Sequence, residues 1–244
     1  MEENQAGGYP KCRGCKDLRK KMWPYRRDLF NYLNLCHDIS CNLLCNFCIV
    51  IEDCSVVSAP TDEVLRVIRM LIDSNYLSRN TSVVIGGGEP AMMRGLEKVL
   101  DFVNKSEYQV LICTNGTIFS EAIGNSLRTG KTTIIVSADA VSRDIYKIIK
   151  GKDFCHHVWE NIKKYAEIDG TKVIPKMIIM EENAGEIEDF VQRCIESGVK
   201  SIIFDYNQKT TPNQKIIDAM KRFEKYCDDH NILGIPAHPN LEET

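Results

Sequence analysis

Short apolar runs alternate with longer amphipathic stretches along most of the chain. The runs predict strands at 33–39 (LNLCHDI), 82–86 (SVVIG), 109–113 (QVLIC), 132–138 (TTIIVSA), 171–180 (TKVIPKMIIM) and 200–206 (KSIIFDY). Most hold a continuous β-branched series such as Val83-Val84-Ile85 or Ile134-Ile135-Val136. Strands apolar on both faces suit a parallel sheet covered by helices. The helical pattern over 62–77 sets Val64, Ile68 and Leu71 on one stripe, with Asp62 and Glu63 in the first turn, where the helix dipole favours acids. A second pattern, over 154–166, repeats Phe154, Val158, Ile162 and Tyr165. A third, over 186–197, carries Ile187, Val191, Cys194 and Ile195 and stops at Gly198, a good C-terminal cap. The last spans 212–230 and begins at Pro212. Six β-then-α units in a row predict an α/β fold, a partial (β/α)6 barrel of parallel strands. On this pattern residues 1–32 are an irregular N-terminal extension and 33–244 form one core domain.

Composition narrows the function classes. The 244 residues are 43% hydrophobic, enough for a core, and the net charge is −3. That balance offers no electrostatic grip on nucleic acid or on an anionic membrane, so neither is expected as a partner. The basic residues Arg19, Lys20, Lys21, Arg26 and Arg27 form a short run, read as a solvated face. The sequence has no apolar run long enough to span a bilayer. The opening MEENQAGGYPKC is polar and acidic, unlike a signal peptide. Eleven cysteines without a secretion signal point to a reducing compartment, the cytoplasm, and to metal ligands or buried thiols rather than disulfides.

The cysteines carry the candidate chemistry. CNLLCNFC, residues 41–48, sets Cys41, Cys45 and Cys48 at C-x3-C-x2-C directly after the first strand. Parallel α/β sheets place their chemistry at the C-terminal ends of their strands. Soft thiolates select zinc or iron–sulfur chemistry. Three thiolates leave two readings: a zinc site completed by another Cys or His, or a metal position left open. The other strand ends are also polar or glycine-rich. GGGEP (86–90) closes the second strand, CTNG (113–116) the third and SADA (137–140) the fourth. Asn183 follows the fifth, and Asp205, Tyr206 and Asn207 end the sixth. Glycines let a ligand approach the backbone closely.

The triad followed by GGEP, in that order, resembles the radical S-adenosylmethionine (SAM) superfamily over about residues 33–207. Two later stretches, YKIIKGKDFCHHVWENIKKY and PKMIIMEENAGEIEDFVQRCIESGVKSIIF, resemble its later units. The resemblance implies a 4Fe–4S cluster on Cys41, Cys45 and Cys48, with one iron left for SAM to chelate. An electron from the cluster would cleave SAM to methionine and a 5′-deoxyadenosyl radical, which takes a hydrogen atom from the substrate. It further implies Phe47 near the adenine, Gly86, Gly87, Gly88 and Glu89 beside the methionyl amino group, and Ser137 and Asp139 near the ribose or carboxylate. Asn115 and Asn183 are weaker candidates, since Asn is also a common turn residue. A reductant such as flavodoxin or ferredoxin and a peptide or small-metabolite substrate are implied as partners. The Ser137–Ala140 ending is similar to the subgroup that matures peptides and molybdopterin precursors. Glycyl-radical activating enzymes, which share the triad, more often show D-x-K there and are the enzymatic alternative. A non-catalytic zinc or iron–sulfur module is a further reading, in which GGGEP has no purpose.

A second pair, Cys12 and Cys15 in YPKCRGCKD, is half of a zinc or auxiliary-cluster site, with Cys36, Cys54 and His37 as completing ligands. The chain ends soon after the core, so a full C-terminal cluster domain of the SPASM type is not expected. Cys113, Cys155, Cys194 and Cys227 read as buried small hydrophobes. His156 and His157 read as surface residues. Lys176 is left open between an outward, snorkelling lysine and an inward carboxylate partner.

Overall fold

The computed structural model describes residues 29–48, 50 and 59–237. Among the described residues, strands β1 (Phe30–Leu35), β2 (Leu77–Ile85), β3 (Gln109–Thr114), β4 (Thr132–Ser137), β5 (Val173–Ile179), β6 (Ser201–Tyr206) and β7 (Leu233–Pro236) form one sheet in chain order. Every neighbouring pair is parallel. The crossovers carry α1 (Thr61–Asp73), α2 (Leu96–Asn104), α3 (Glu121–Arg128), α4 (Arg143–Lys150) with α5 (Cys155–Asp169), α6 (Ile187–Glu196) and α7 (Gln214–Asp229). The result is an open α/β half-barrel.

The core fills the space between the sheet and its helices. Val83, Ile85, Ile112, Ile134, Val136, Met177 and Ile202 point outward from the strands and are fully buried. They meet Ile68, Val99, Ile123, Val158, Ile162 and Val191 from the helices, all equally inaccessible. An aromatic chain continues this layer: Trp159 packs edge-on to Phe190 at 5.3 Å, and Phe223 stacks on Phe204 at 4.6 Å. Each such side chain contributes roughly 1.5–3 kcal/mol through burial.

The second face of the sheet is less buried than the continuous apolar runs suggested. Along β4 and β5, Thr133, Ile135, Ser137, Ile174, Lys176 and Ile178 alternate with the buried set and are only half-buried. They line the inner, concave face. Lys176 therefore points inward, where its ammonium lies 3.5 Å from the nearly buried Asp205 carboxylate. Cys113 shares this face and is half-buried, not a core residue as expected. Cys155, Cys194 and Cys227 are buried, and His156 and His157 are exposed.

Three boundaries also move. β1 starts at Phe30, inside the stretch expected to be irregular. α1 stops at Asp73, not at 77, because Asn75 turns left-handed (φ 54°) and Leu77 already pairs with β1. β7, which packs beside β6, had no apolar run to announce it.

Candidate active site

The cysteine loop leaves the C-terminal end of β1 and is held from three directions. The first hold is β2. Gly86 donates to Leu35 O at 3.3 Å, Gly88 to Asp38 O at 3.3 Å and Glu89 to Ser40 O at 2.7 Å. The glycine segment thus runs beside residues 35–40 and extends the β1–β2 pairing into the loop. A Cβ on Gly88 would lie 2.3 Å from Ser40 O, so only glycine fits. The Glu89 side chain turns the other way and is 2% exposed. Its Oε1 accepts from the Thr114 hydroxyl at 2.7 Å and from Ala91 N at 2.9 Å, and its Oε2 from Asn115 N at 2.6 Å. Burial nevertheless raises its carboxyl above the ordinary range.

The second hold is the turn after β3. Asn115 donates its amide to Asn42 Oδ1 at 2.9 Å and reaches Cys41 Sγ at 3.7 Å. Asn42 donates to the Thr117 hydroxyl at 2.9 Å, and Thr117 donates its backbone N–H and hydroxyl to Asn115 Oδ1 at 2.9 and 2.7 Å. These three residues close a ring against the first cysteine.

The third hold is the end of α4. Leu44 N donates to Lys150 O and Asn46 N to Ile149 O, each at 3.0 Å. The Lys150 ammonium, 1% exposed, pairs with the fully buried Asp139 and lies 5.1 Å from the centre of the Phe47 ring. Leu43 is buried beneath the loop, while Cys41 is exposed and Cys45 and Cys48 are half-exposed. Burial pushes the Cys45 thiol up to about 11, with the Lys150 ammonium pulling the other way.

The expected site residues fall into two sets. Cys41, Cys45, Cys48, Phe47, Gly86, Gly87, Gly88, Asn115 and Ser137 surround the mouth of the half-barrel, Ser137 on the inner face beside Lys176. Glu89, Asp139 and Asn183 stand behind it. Asp139 (φ 60°) accepts from Ile178 N at 2.6 Å with one oxygen and from Lys150 with the other. Asn183 is fully buried, donates to Asp139 O and Ile178 O at 2.8 Å each, and accepts from Met180 N at 2.7 Å. Cys12, Cys15 and Cys54 lie outside the described residues. Sequence reasoning missed Asn42, Thr114, Thr117, Tyr146 and Lys150. Asn42 sits within the cysteine motif, Thr114 within CTNG and Tyr146 and Lys150 within the family-like stretch that starts at Tyr146, so each could have been suspected; Thr117 carries no local signal.

Among the described residues, no three His, Cys, Asp or Glu side chains converge to hold a single metal ion. An iron–sulfur cube makes no such demand, because each thiolate takes a separate iron. The Tyr146 hydroxyl adds a polar group in want of a partner: it is buried and finds none among the described residues. No helix among them is long and apolar enough to cross a membrane.

Known proteins resemble this chain in sequence or in fold. Molybdenum cofactor biosynthesis protein 1 of Dictyostelium discoideum is 25% identical over 217 residues, which is 84% of this chain and 33% of that protein. The antilisterial bacteriocin subtilosin biosynthesis protein AlbA of Bacillus subtilis is 26% identical over 190 residues, 76% of this chain and 41% of that one. The chain thus spans well under half the length of these two relatives. Streptococcus suis SuiB bound to its precursor peptide SuiA superposes with a TM-score of 0.71 at 16% identity, covering 98% of this chain and 61% of that one. Residues 39–194 match the model of the radical SAM superfamily. That match takes in the cysteine loop, the glycine segment and the strand ends around them: this chain belongs to the radical SAM superfamily.

Proposed function

We propose that Cys41, Cys45 and Cys48 hold the 4Fe–4S cluster that this family uses with SAM, and that the chain removes a hydrogen atom from a peptide. Superfamily members are enzymes, and SAM is their shared cosubstrate. The observation that carries the reading is the triple anchoring of the cysteine loop, which fixes three thiols at the mouth of the half-barrel without using them as protein hydrogen-bond donors. A cluster held by these three thiolates would supply the electron for reductive cleavage of SAM.

The chain's own residues do the rest. Asn115 and Asn42 orient the Cys41 side of the loop. Gly86–Gly88 let the β2 end run close against residues 36–40 and leave its backbone groups as the polar partners offered to an amino-acid end. Ser137 offers a hydroxyl on the inner face, suited to a ribose or a carboxylate. Phe47 offers a ring face to an adenine. The exposure of Cys41 suits docking of a flavodoxin- or ferredoxin-like reductant. Support for a peptide comes from AlbA, which serves bacteriocin biosynthesis, and from SuiB, whose peptide-bound structure shares this fold.

Anaerobic reconstitution tests the assignment. The protein is expected to bind about four irons at this site and, with a strong reductant, to convert SAM to 5′-deoxyadenosine. Iron content unchanged in the Cys41→Ala/Cys45→Ala/Cys48→Ala variant, or S-adenosylhomocysteine as the only product, would overturn it.

A further inference from the structure

We propose that Tyr146 and Lys150, one turn apart on α4, tune the cluster electrostatically, the tyrosine by donating a hydrogen bond to sulfur at the Cys45 side and the lysine as a buried positive charge. The inference rests on the cluster assignment above and assigns the side chains behind it.

The starting point is a helix that buries what helices normally expose. α4 is RDIYKIIK, and Tyr146, Ile149 and Lys150 are its inaccessible residues. Residues four apart share a helix face, so the phenol and the ammonium project from α4 on the same side. The C-terminal end of the helix meets the cysteine loop, and the Lys150 ammonium lies over the loop's Phe47 ring. The backbone carbonyls of Ile149 and Lys150 receive Asn46 N and Leu44 N, and a Cβ on Gly151 would lie 2.9 Å from Leu44 O. The helix end and the loop are therefore one packed unit.

Two features of this unit lack a structural reason. A buried ion pair is no better for stability than apolar residues of the same volume. Yet Lys150 is 1% exposed and paired with Asp139, which is itself held in a left-handed conformation by Ile178 N and Asn183. The Tyr146 hydroxyl is buried without a partner among the described residues. A phenylalanine would pack as well and bury no orphaned oxygen. Both features have a use if an electron-rich, sulfur-bearing group sits on the other side of the loop. The groups that act on the Tyr146 hydroxyl electrostatically are Asp139, Cys45, Cys155 and Glu89. Those that face the Lys150 ammonium are Asp139 and the Phe47 ring, with Cys45 and Glu89 also within its field. Of the three motif cysteines, Cys45 is the one in the field of both side chains, and the loop that carries it is bonded to the end of α4.

The sign of the effect follows from charge. Reduction adds an electron to the cluster, and hydrogen bonds to sulfur and nearby positive charge both favour the reduced state. Tyr146 and Lys150 would make the cluster easier to reduce, and Asp139 would oppose them.

The test is the midpoint potential of the reconstituted cluster in four variants, followed by electron paramagnetic resonance, with thermal melts of the metal-free protein alongside. Tyr146→Phe and Lys150→Met are expected to lower the potential, Asp139→Asn to raise it, and Lys150→Arg to restore it close to wild type. Metal-free Tyr146→Phe is expected to melt at or above the wild-type temperature, since it removes only an unpartnered hydroxyl. A Tyr146→Phe protein with an unshifted potential, or one that melts lower without metal, overturns the proposal even if Lys150→Met fails to fold. Shifts of the same sign in Lys150→Met and Asp139→Asn also overturn it. Wild-type protein that takes up no iron would instead sink the cluster assignment itself.

Discussion

Gly88 and Ser40 occupy one narrow space: the carbonyl oxygen of the serine fills the place where a side chain on the glycine would begin, at 2.3 Å. The contact joins the second strand's end to the residue just before the first cysteine. Gly88→Ala is expected to push the loop off β2, at a cost of about 1–3 kcal/mol from overpacking, and to lose most of the bound iron after reconstitution. Gly87 is different. Its φ of 101° is unfavourable for any side chain, and its nearest obstacle is Cys36 Cβ at 3.1 Å. Gly87→Ala should therefore lower the melting temperature yet retain more iron than Gly88→Ala. Equal iron in the two variants would count against this account of the loop.

Asn115 touches a cysteine sulfur and closes the ring with Asn42 and Thr117. Asn115→Ala is expected to cost about 1–3 kcal/mol, because it strips partners from buried groups. It should also speed loss of the cluster to a chelator. Timed iron release from wild type and variant checks this, and identical rates would show that the ring does not support Cys41.

Glu89 makes stability depend on pH with a definite sign. Burial lifts its folded-state pKa above the ordinary 4.5, so the folded protein holds this proton more tightly than the unfolded chain does. Its contribution is fully present below 4.5 and is lost as pH rises through the raised value. Glu89→Gln removes that dependence. Urea melts across this pH range should show the stability of wild type relative to Glu89→Gln falling as pH rises. A difference that stays flat or grows would mean that the three donors around the carboxylate outweigh its burial.

Asn183 satisfies three backbone groups, two at the end of β5 and one on Asp139 just past β4. Asn183→Ala leaves them unpaired in a buried place, and a loss of about 3 kcal/mol is expected. A denaturant titration measures it. An unchanged midpoint combined with weaker SAM binding would return Asn183 to the ligand side of the mouth.

The sequence made some of this architecture legible and hid the rest for identifiable reasons. Val83-Val84-Ile85, Ile134-Ile135-Val136 and their counterparts are continuous β-branched runs, and each became a strand of the parallel sheet. β7 is four residues, Leu233–Pro236, with a Gly and a Pro; nothing in LGIP separates it from a turn. The start of β1 was obscured because Phe30, Asn31 and Tyr32 are exposed and show no apolar alternation. The cysteine triad and the glycines could be read because their spacing is local. Lys150 could not: its meaning depends on Asp139, an ion pair that spans β4 and α4, and on the loop that folds back over it. Asp139 and Glu89 were legible as important residues, but whether a carboxylate faces the mouth or the interior depends on register and on the direction of a turn, neither of which spacing reveals.

The order in which the loop's supports arrive has a consequence for biosynthesis. The cysteines leave the ribosome with the first strand, but Asn115, which braces Cys41, lies 74 residues further on, and Lys150 comes only after α3 and β4, at the end of α4. Strands that join in chain order let each unit dock as it emerges. A nascent chain therefore displays the three thiols well before it can hold them in place. On the cluster assignment proposed above, a carrier that met the chain before α4 emerged would find ligands without a finished site.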